Sequence, residues 1–311
     1  MRNKTFDQVV GQNSVVELLS LYIDAYRETE RLVAMNFIGP RGTGKSKIIR
    51  NFREGLRRKD GSRPPILELN CATIKNSKAF FDSVAPVWTQ NSAFLMADEL
   101  HCLPVDLQSI FLSILEVKKD PVRTVEFEGV PYTFDFTKIS FAGATTDAQK
   151  LLGPLQDRLR AINLEEYSDE QLFEIFELNL ENKVEVLPCA KAEIISTFRG
   201  NPRDAVVKAE DLKTYSAAKK CNQITEQIWK SFARIMGILP HGLSSSEIQV
   251  LKAVGKKRSA SLTDIAAVTG FDRSLIQRNL EGILVRKDLL QINQKRELTA
   301  NGWRFFHAHC K

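Results

Sequence analysis

The sequence has no apolar run near the ~20 residues needed to cross a bilayer, and its first residues, Met1-Arg2-Asn3-Lys4, are polar, with no signal-peptide core. The expectation is a cytoplasmic protein with no membrane partner. Five cysteines are scattered singly at 71, 102, 189, 221 and 310, with no C-x-x-C pair. An odd, unpaired set argues against a disulfide framework and for reduced thiols. Histidine is scarce, at four residues, and His307-x-His309 has no other ligand type nearby, so it reads as a solvated tail. There is no internal repeat and no low-complexity segment. Net charge is also missing from most of the chain: residues 1–240 hold thirty-two Lys/Arg and thirty-two Asp/Glu. Residues 241–311 hold twelve against six, so the whole +6 lies there. Charge confined to one end points to an anionic partner for that end, with nucleic acid first and a merely soluble basic surface as the alternative.

What is present is ordinary globular material: 311 residues, 43% hydrophobic and 26% charged, enough for two or three domains. Residues 17–29 carry an amphipathic stripe through Val16, Leu18, Leu19, Tyr22, Ile23 and Tyr26 and predict a helix. The short apolar runs "LVAMNFIG", "PILELN", "SAFLMADEL" and "KISFAGATT" read as buried strands. The helical stretches "KSKIIRNFREGLRR" and "VDLQSIFLSILEV" fall between them, and strands alternating with helices predict a parallel α/β sheet. "VRTVEFEGVPYTFDF" alternates about Glu128-Gly129 and predicts a hairpin over 122–136. From Ser168 the pattern is helical, and "ILPHGLSSS" marks a boundary near 240. The division expected is an α/β domain at 1–167, a small all-α domain at 168–239 and a third domain at 240–311.

"FIGPRGTGKS" fits the phosphate-binding pattern G-x-x-x-x-G-K-S/T through Gly39, Gly44, Lys45 and Ser46. It lies between a strand and a helix, the context in which backbone N–H groups and a helix N-terminus can face phosphates. Lys45 can reach the outer phosphates, and Ser46 can ligate Mg²⁺. The pattern alone admits ATP or GTP. "FLMADE" delivers Asp98 and Glu99 to the end of a buried strand, one acid for the metal and one to activate water. Two adjacent acids can also simply start a helix, but with Lys45 upstream the hydrolytic reading prevails. Thr145 and Thr146 end the next strand, and either hydroxyl could meet the γ-phosphate or the water. Arg158 and Arg203 are surface arginines or nucleotide contacts, depending on what surrounds them.

In the third domain, "TDIAAVTG" and "DRSLIQRNLEGIL" flank a "GFD" turn as a helix-turn-helix, with Leu262, Ile265, Ala266, Leu275, Leu280 and Ile283 as its core. Arg273, Gln277 and Arg278 fall at or near the start of the second helix, and a following ribbon carries Lys295 and Arg296. Basic residues so placed can neutralise DNA phosphates. The alternative is a winged helix used only for protein contact.

Taken together, these motifs resemble the RuvB family of AAA+ ATPases, which drive branch migration of Holliday junctions. "RNKTFDQVVGQ", "ADELHCLP", "GATTDAQKLLGPLQDRL", "RGNPRDA" and the C-terminal "GLSSSEIQVLKAV…KRELTANGWRFFHAH" carry the resemblance in order along nearly the whole chain. It implies an AAA+ core with a phosphate loop, a helical lid and a C-terminal winged helix. It implies ATP and Mg²⁺ as cofactors, with Gly39, Gly42, Thr43, Gly44, Lys45, Ser46 and Lys47 forming the loop. Arg2 and Tyr167 would line the adenine side, Ser46 and Asp98 would hold Mg²⁺, and Glu99 would be the base. Thr146, or Thr145, would be the first sensor, Arg203 the second, and Arg158 the finger that reaches a neighbouring subunit's nucleotide.

The implied function is an ATP-driven hexameric ring moving duplex DNA at four-way junctions, helped by a RuvA-like protein at the 122–136 hairpin. The alternative is an ATP switch or loader that assembles on DNA and recruits a partner without processive movement. The chain departs from the family pattern in several places. Arg41 and Lys47 stand in the loop, Gln156 replaces an arginine before Arg158, and Asp147 follows the threonines. The wing is reduced to "QINQKR", and the hairpin has its own sequence.

Overall fold

The computed structural model describes residues 4–116, 120–181 and 183–310. They divide into two compact units, one of residues up to 175 together with 201–203, the other of 176–200 and 204–310.

The first unit is built on five parallel strands: β1 (Met35–Ile38), β2 (Ile66–Asn70), β3 (Phe94–Asp98), β6 (Ser140–Thr145) and β7 (Arg160–Asn163), in the order β2-β3-β6-β1-β7. Successive side chains in a strand point to opposite faces, and both faces here are apolar. Phe94 and Met96 join Phe37, Ala142 and Ile162 on one face, under the helices α1 (Asn13–Thr29) and α2 (Lys45–Gly55). Leu95, Ala97 and Phe141 enter the other core, with α3 (Ser77–Ser83), α4 (Ala85–Gln90) and α5 (Val105–Ile114). Of the stripe expected on α1, Val16, Leu19, Ile23 and Tyr26 are buried, and Leu18 and Tyr22 are partly buried against the same core. The helix begins at Asn13, earlier than its apolar pattern suggests. The fifth strand, β7, has the sequence "RAIN" and only Ile162 buried, so its periodicity is too short to read. The short helix α6 (Gly153–Arg158) leads into it.

The expected hairpin is β4 (Val122–Phe127) against β5 (Val130–Asp135), with Thr124 opposite Thr133. Glu128 and Gly129 both have positive φ, 50° and 79°, as a two-residue hairpin turn requires. Its inner row is anchored by aromatic contacts: Phe81 lies 4.4 Å from Phe127 and 4.7 Å from Tyr132, and Trp88 lies 5.5 Å from Phe134. The outer row, including Thr124, Glu126, Pro131 and Thr133, is exposed and mostly polar.

The second unit joins a helical part to a winged helix. Helices α7 (Asp169–Leu180) and α9 (Pro202–Lys219) each begin in the first unit and continue into the second. With α8 (Pro188–Ser196) and α10 (Glu226–Met236) they enclose Phe176, Phe198 and Trp229. A short parallel pair, β8 (Glu185–Val186) and β9 (Gln223–Ile224), is added to what was expected to be purely helical.

The winged helix starts at α11 (Ser245–Lys257) and α12 (Leu262–Thr269), each opened by a complete capping box, Ser244/Glu247 and Ser261/Asp264. Next come α13 (Arg273–Leu275), a π-turn over Ile276–Leu280 and α14 (Glu281–Arg286). Strands β10 (Ser259–Ala260), β11 (Leu290–Ile292) and β12 (Arg296–Leu298) form the ribbon, and α15 (Ala300–His309) closes the domain. His307 and His309 therefore sit on a helix rather than a tail, and His307 stacks on Trp303.

Of the expected helix-turn-helix core, Ile265, Leu280 and Ile283 are buried, and Leu262 and Ala266 pack against them. Leu275 is the exception. It is 38% exposed, and Ile276 is buried in its place. The stripe runs 276, 280, 283 and 284, and Leu275 lies one position off it. Among the described residues no helix is long and apolar enough to cross a membrane.

One polar group in the sheet lacks a partner. Asn36 in β1 is 3% exposed, and its Oδ1 is enclosed without a hydrogen bond. Leucine branches at the same carbon and has no such oxygen. Asn36→Leu is expected to raise unfolding free energy by about 1 kcal/mol, the scale of a buried unpaired polar group, measured as a higher urea midpoint at unchanged m-value.

Candidate functional site

The sheet order places the carboxyl ends of β3, β6 and β1 side by side, with Ile38 opposite Thr145 and Ala97 opposite Gly143. Three loops thus meet at one edge, where parallel α/β sheets bind ligands. The phosphate loop leaves β1 and turns through Gly42 (φ 84°) and Gly44 (φ 86°), conformations open mainly to glycine. α2 then starts at Lys45, its N-terminal N–H groups directed toward the loop.

Lys45 is buried, and its Nζ donates to the carbonyls of Gly39 at 2.8 Å and Pro40 at 2.9 Å. These bonds hold the ammonium at the loop. Burial pushes its pKa below the ordinary lysine value, while Glu99 and Asp98 oppose that shift. Thr43 is buried and bonds Pro40 O at 2.9 Å, bracing the loop from within. Gly39 packs against Thr43 and Leu164, and Lys47 is exposed.

Ser46 Oγ donates to Asp98 Oδ2 at 3.0 Å. A hydroxyl and a carboxylate so paired are hard oxygen donors of the kind Mg²⁺ takes, so the donor chemistry fits the expected ion. Glu99 follows with φ 52°, a left-handed backbone for a non-glycine residue. Its carboxylate meets Thr146 Oγ1 at 3.4 Å and His101 Nδ1 at 3.5 Å. His101 Nδ1 is also 2.9 Å from Thr145 Oγ1, which in turn accepts from Asp147 N at 3.1 Å. The two threonines, which the sequence leaves as alternatives, therefore differ in place. Thr145 is buried on His101, and Thr146 is exposed and faces Glu99.

Tyr167 Oη donates to Thr43 O at 3.3 Å. Burial raises the phenol pKa, and a hydrogen bond from Gln12 works against it. Gln12 also brackets the backbone of Glu165, donating to its carbonyl at 2.7 Å and accepting from its N–H at 3.0 Å. The segment ending at Tyr167 is thereby pinned beside the loop. A Cβ on Gly42 would collide with the Asn201 side chain. Asn201 Oδ1 accepts from Arg203 N at 2.9 Å, which opens α9.

Lys45, Ser46, Asp98, Glu99, Thr146, Thr43 and Tyr167 are thus brought together. Arg158 and Arg203 are not hydrogen-bonded to this cluster among the described residues. Arg158 Nη1 bonds Pro154 O at 2.8 Å, and its Nε is enclosed without a partner. Arg203 is exposed. Arg2 lies outside the described residues. His101, Gln12 and Asn201 were not among the sequence candidates. Each lies within a quoted motif, "ADELHCLP", "VGQ" or "RGNPRDA", but only tertiary contact gives it a part.

On the winged helix, Arg273, Arg278 and Lys295 are exposed. Arg296, expected with them, is committed elsewhere. Its Nε and Nη2 donate to Glu281 at 2.8 and 3.3 Å, and the two side chains are only 12% and 6% exposed. A guanidinium held this way braces the ribbon against α14 and is not presented to solvent.

His101 is the only imidazole in the cluster and ties Glu99 to Thr145. His101→Ala is expected to lower kcat for nucleotide hydrolysis about tenfold, within the range that small misplacements cost, with nucleotide affinity unchanged by titration of a fluorescent analogue.

Comparison with known proteins gives a consistent picture. Residues 240–307 match the family of RuvB C-terminal winged helix domains. Over 97% of its length the chain is 25% identical to a protein of Mycoplasmopsis pulmonis (strain UAB CTIP) named Holliday junction branch migration complex subunit RuvB, 96% of which is covered. Among solved structures, a point variant of Thermotoga maritima RuvB matches with TM-score 0.75 at 20% identity, covering 99% of both chains. The structure titled Thermotoga maritima RuvB Holliday junction branch migration motor matches with TM-score 0.74 at 21% identity, covering 98% of both. The chain is similar to RuvB along its length, shares the fold of the solved RuvB structures and carries a C-terminal winged helix of the RuvB kind.

Proposed function

We propose that this RuvB-like chain is an ATP-driven DNA motor that moves duplex DNA at four-way junctions. The observation that carries the proposal is full-length similarity to a branch-migration subunit, supported by the pairing of Ser46 with Asp98 and of Thr146 with Glu99. In this reading residues 1–167 are the nucleotide domain, 168–239 the lid and 240–311 the DNA-binding domain.

The loop N–H groups and Lys45 hold the β- and γ-phosphates of ATP. Ser46 and Asp98 hold Mg²⁺, which when bound neutralises charge on the phosphate oxygens. Glu99 accepts a proton from the attacking water, and Thr146, beside that carboxylate, orients the same water. Tyr167 and Arg2 line the adenine side, and Arg203 senses the γ-phosphate from the lid.

Arg158 completes the neighbouring subunit's site, so a ring of identical subunits, expected to be a hexamer, is part of the active site. A finger supplied in trans is worth ~10³-fold or more in rate, and this dependence ties hydrolysis to subunit motion. On the winged helix Arg273, Arg278 and Lys295 meet DNA phosphates. The 122–136 hairpin, anchored by its aromatic row and polar outside, is the proposed seat of a RuvA-like partner.

The direct test is a synthetic four-way junction incubated with the protein, ATP and Mg²⁺. Strand separation into the migrated products is expected. Hydrolysis that DNA stimulates, with no junction or duplex moved, would instead favour an ATP switch or loader. Glu99→Gln is expected to lower kcat at least ~10²-fold, as loss of a general base does, with ATP still bound.

The surface arginines give a separate prediction. Alanine at Arg273, Arg278 or Lys295 is expected to reduce the slope of log K against log salt by about one each. Arg296→Ala is expected to lower the thermal midpoint of the chain, because it leaves Glu281 buried and unpaired.

A further inference from the structure

The turn at residues 196–200 ends α8 and immediately precedes Asn201–Arg203. The chain passes from the second compact unit to the first between Gly200 (φ 73°) and Asn201. Within the second unit this turn is held from two sides: Phe198 packs on Phe176 and Lys208 Nζ donates to Thr197 O at 3.3 Å in the helical part, and the winged helix supplies the rest. Arg199 Nη1 and Nη2 donate to the Glu247 carboxylate at 2.8 and 2.6 Å, and Nη1 also donates to Gly242 O at 2.8 Å. Lys287 Nζ donates to Ser196 O at 2.7 Å, and Arg286 Nη1 to Arg199 O at 3.4 Å. Gly242 lies so close that a Cβ there would collide with the Thr197 carbonyl.

Glu247 is 1% exposed and has two tasks, since its carboxylate also accepts from Ser244 N at 2.7 Å in the α11 capping box. A buried ion pair is a poor source of stability, because desolvation offsets its attraction. What a bidentate Arg–carboxylate pair does supply is one geometry. Arg286 and Lys287 lie at the end of the helical run that starts at Arg273. The arginines proposed to meet DNA, Arg273 and Arg278, and the side chains that grip this turn therefore belong to one continuous helical run. Of the residues directly after the turn, Asn201 is set beside Gly42, and Arg203 is the second sensor of the proposed function.

We propose that Arg199 and Glu247 are positioning residues through which the DNA-bound winged helix sets the placement of Asn201–Arg203 at the nucleotide. The inference rests on the motor reading, because it requires hydrolysis to respond to DNA.

The test compares steady-state ATPase of the full chain with and without saturating duplex DNA for wild type, Glu247→Gln, Arg199→Ala and the double variant. Glutamine retains the capping-box geometry at this position while removing the charge that orients Arg199, and thermal melts check each variant. Each single variant is expected to keep basal turnover within twofold and DNA affinity unchanged, and to lose at least fivefold of the DNA stimulation. The double variant is expected to be no worse than the worse single one, as for residues acting as one unit. Full stimulation in Glu247→Gln overturns the proposal, as does a basal rate that falls in step with the stimulated one. A wild-type chain that DNA does not stimulate overturns the motor reading itself, and the coupling with it.

Discussion

Parallel strands buried on both faces have only their ends available for chemistry. β1, β3 and β6 fill both cores of the first unit with side chains, so polar function is confined to the residue or two beyond each carboxyl end. Strand order then decides which ends are neighbours. Because β1 lies beside β6 and β6 beside β3, the lysine, the acids and the threonines of three distant segments share a single edge. The site's contacts follow from this constraint: the Ser46–Asp98 pair, the Glu99–Thr146 contact and the His101 bridge between Glu99 and Thr145.

This also explains what was legible in the sequence. The phosphate loop and "FLMADE" could be read because their chemistry is local, with glycine spacing and apolar run followed directly by function. Four of the five strands of the sheet were legible for the same reason. β7 was not, because an edge strand with one buried residue has no period to detect. Leu275 and Ile276 exchanged places because a one-residue error in where the stripe falls is invisible when both neighbours are aliphatic.

The remaining differences depend on distant partners. Nothing near Arg296 in sequence signals that Glu281 will take it out of solvent. His101, Gln12 and Asn201 likewise acquire their parts from residues 44, 153 and 159 positions away, respectively Thr145, Glu165 and Gly42. The same holds for Arg199 and Glu247, whose pairing ties the turn after α8 to the first helix of the winged helix domain. The motifs thus name the reactants of the site, and the long-range polar contacts determine how those reactants are held.

Glu99 shows what that holding costs. Its left-handed backbone is a conformation that costs a non-glycine residue about 1 kcal/mol or more, and glycine or asparagine would occupy it with less strain. The backbone alone would therefore favour a residue with no carboxylate at this position. What the glutamate adds is its reach to Thr146 and His101, so the strain of the turn is spent on placing one side chain between two neighbouring loops.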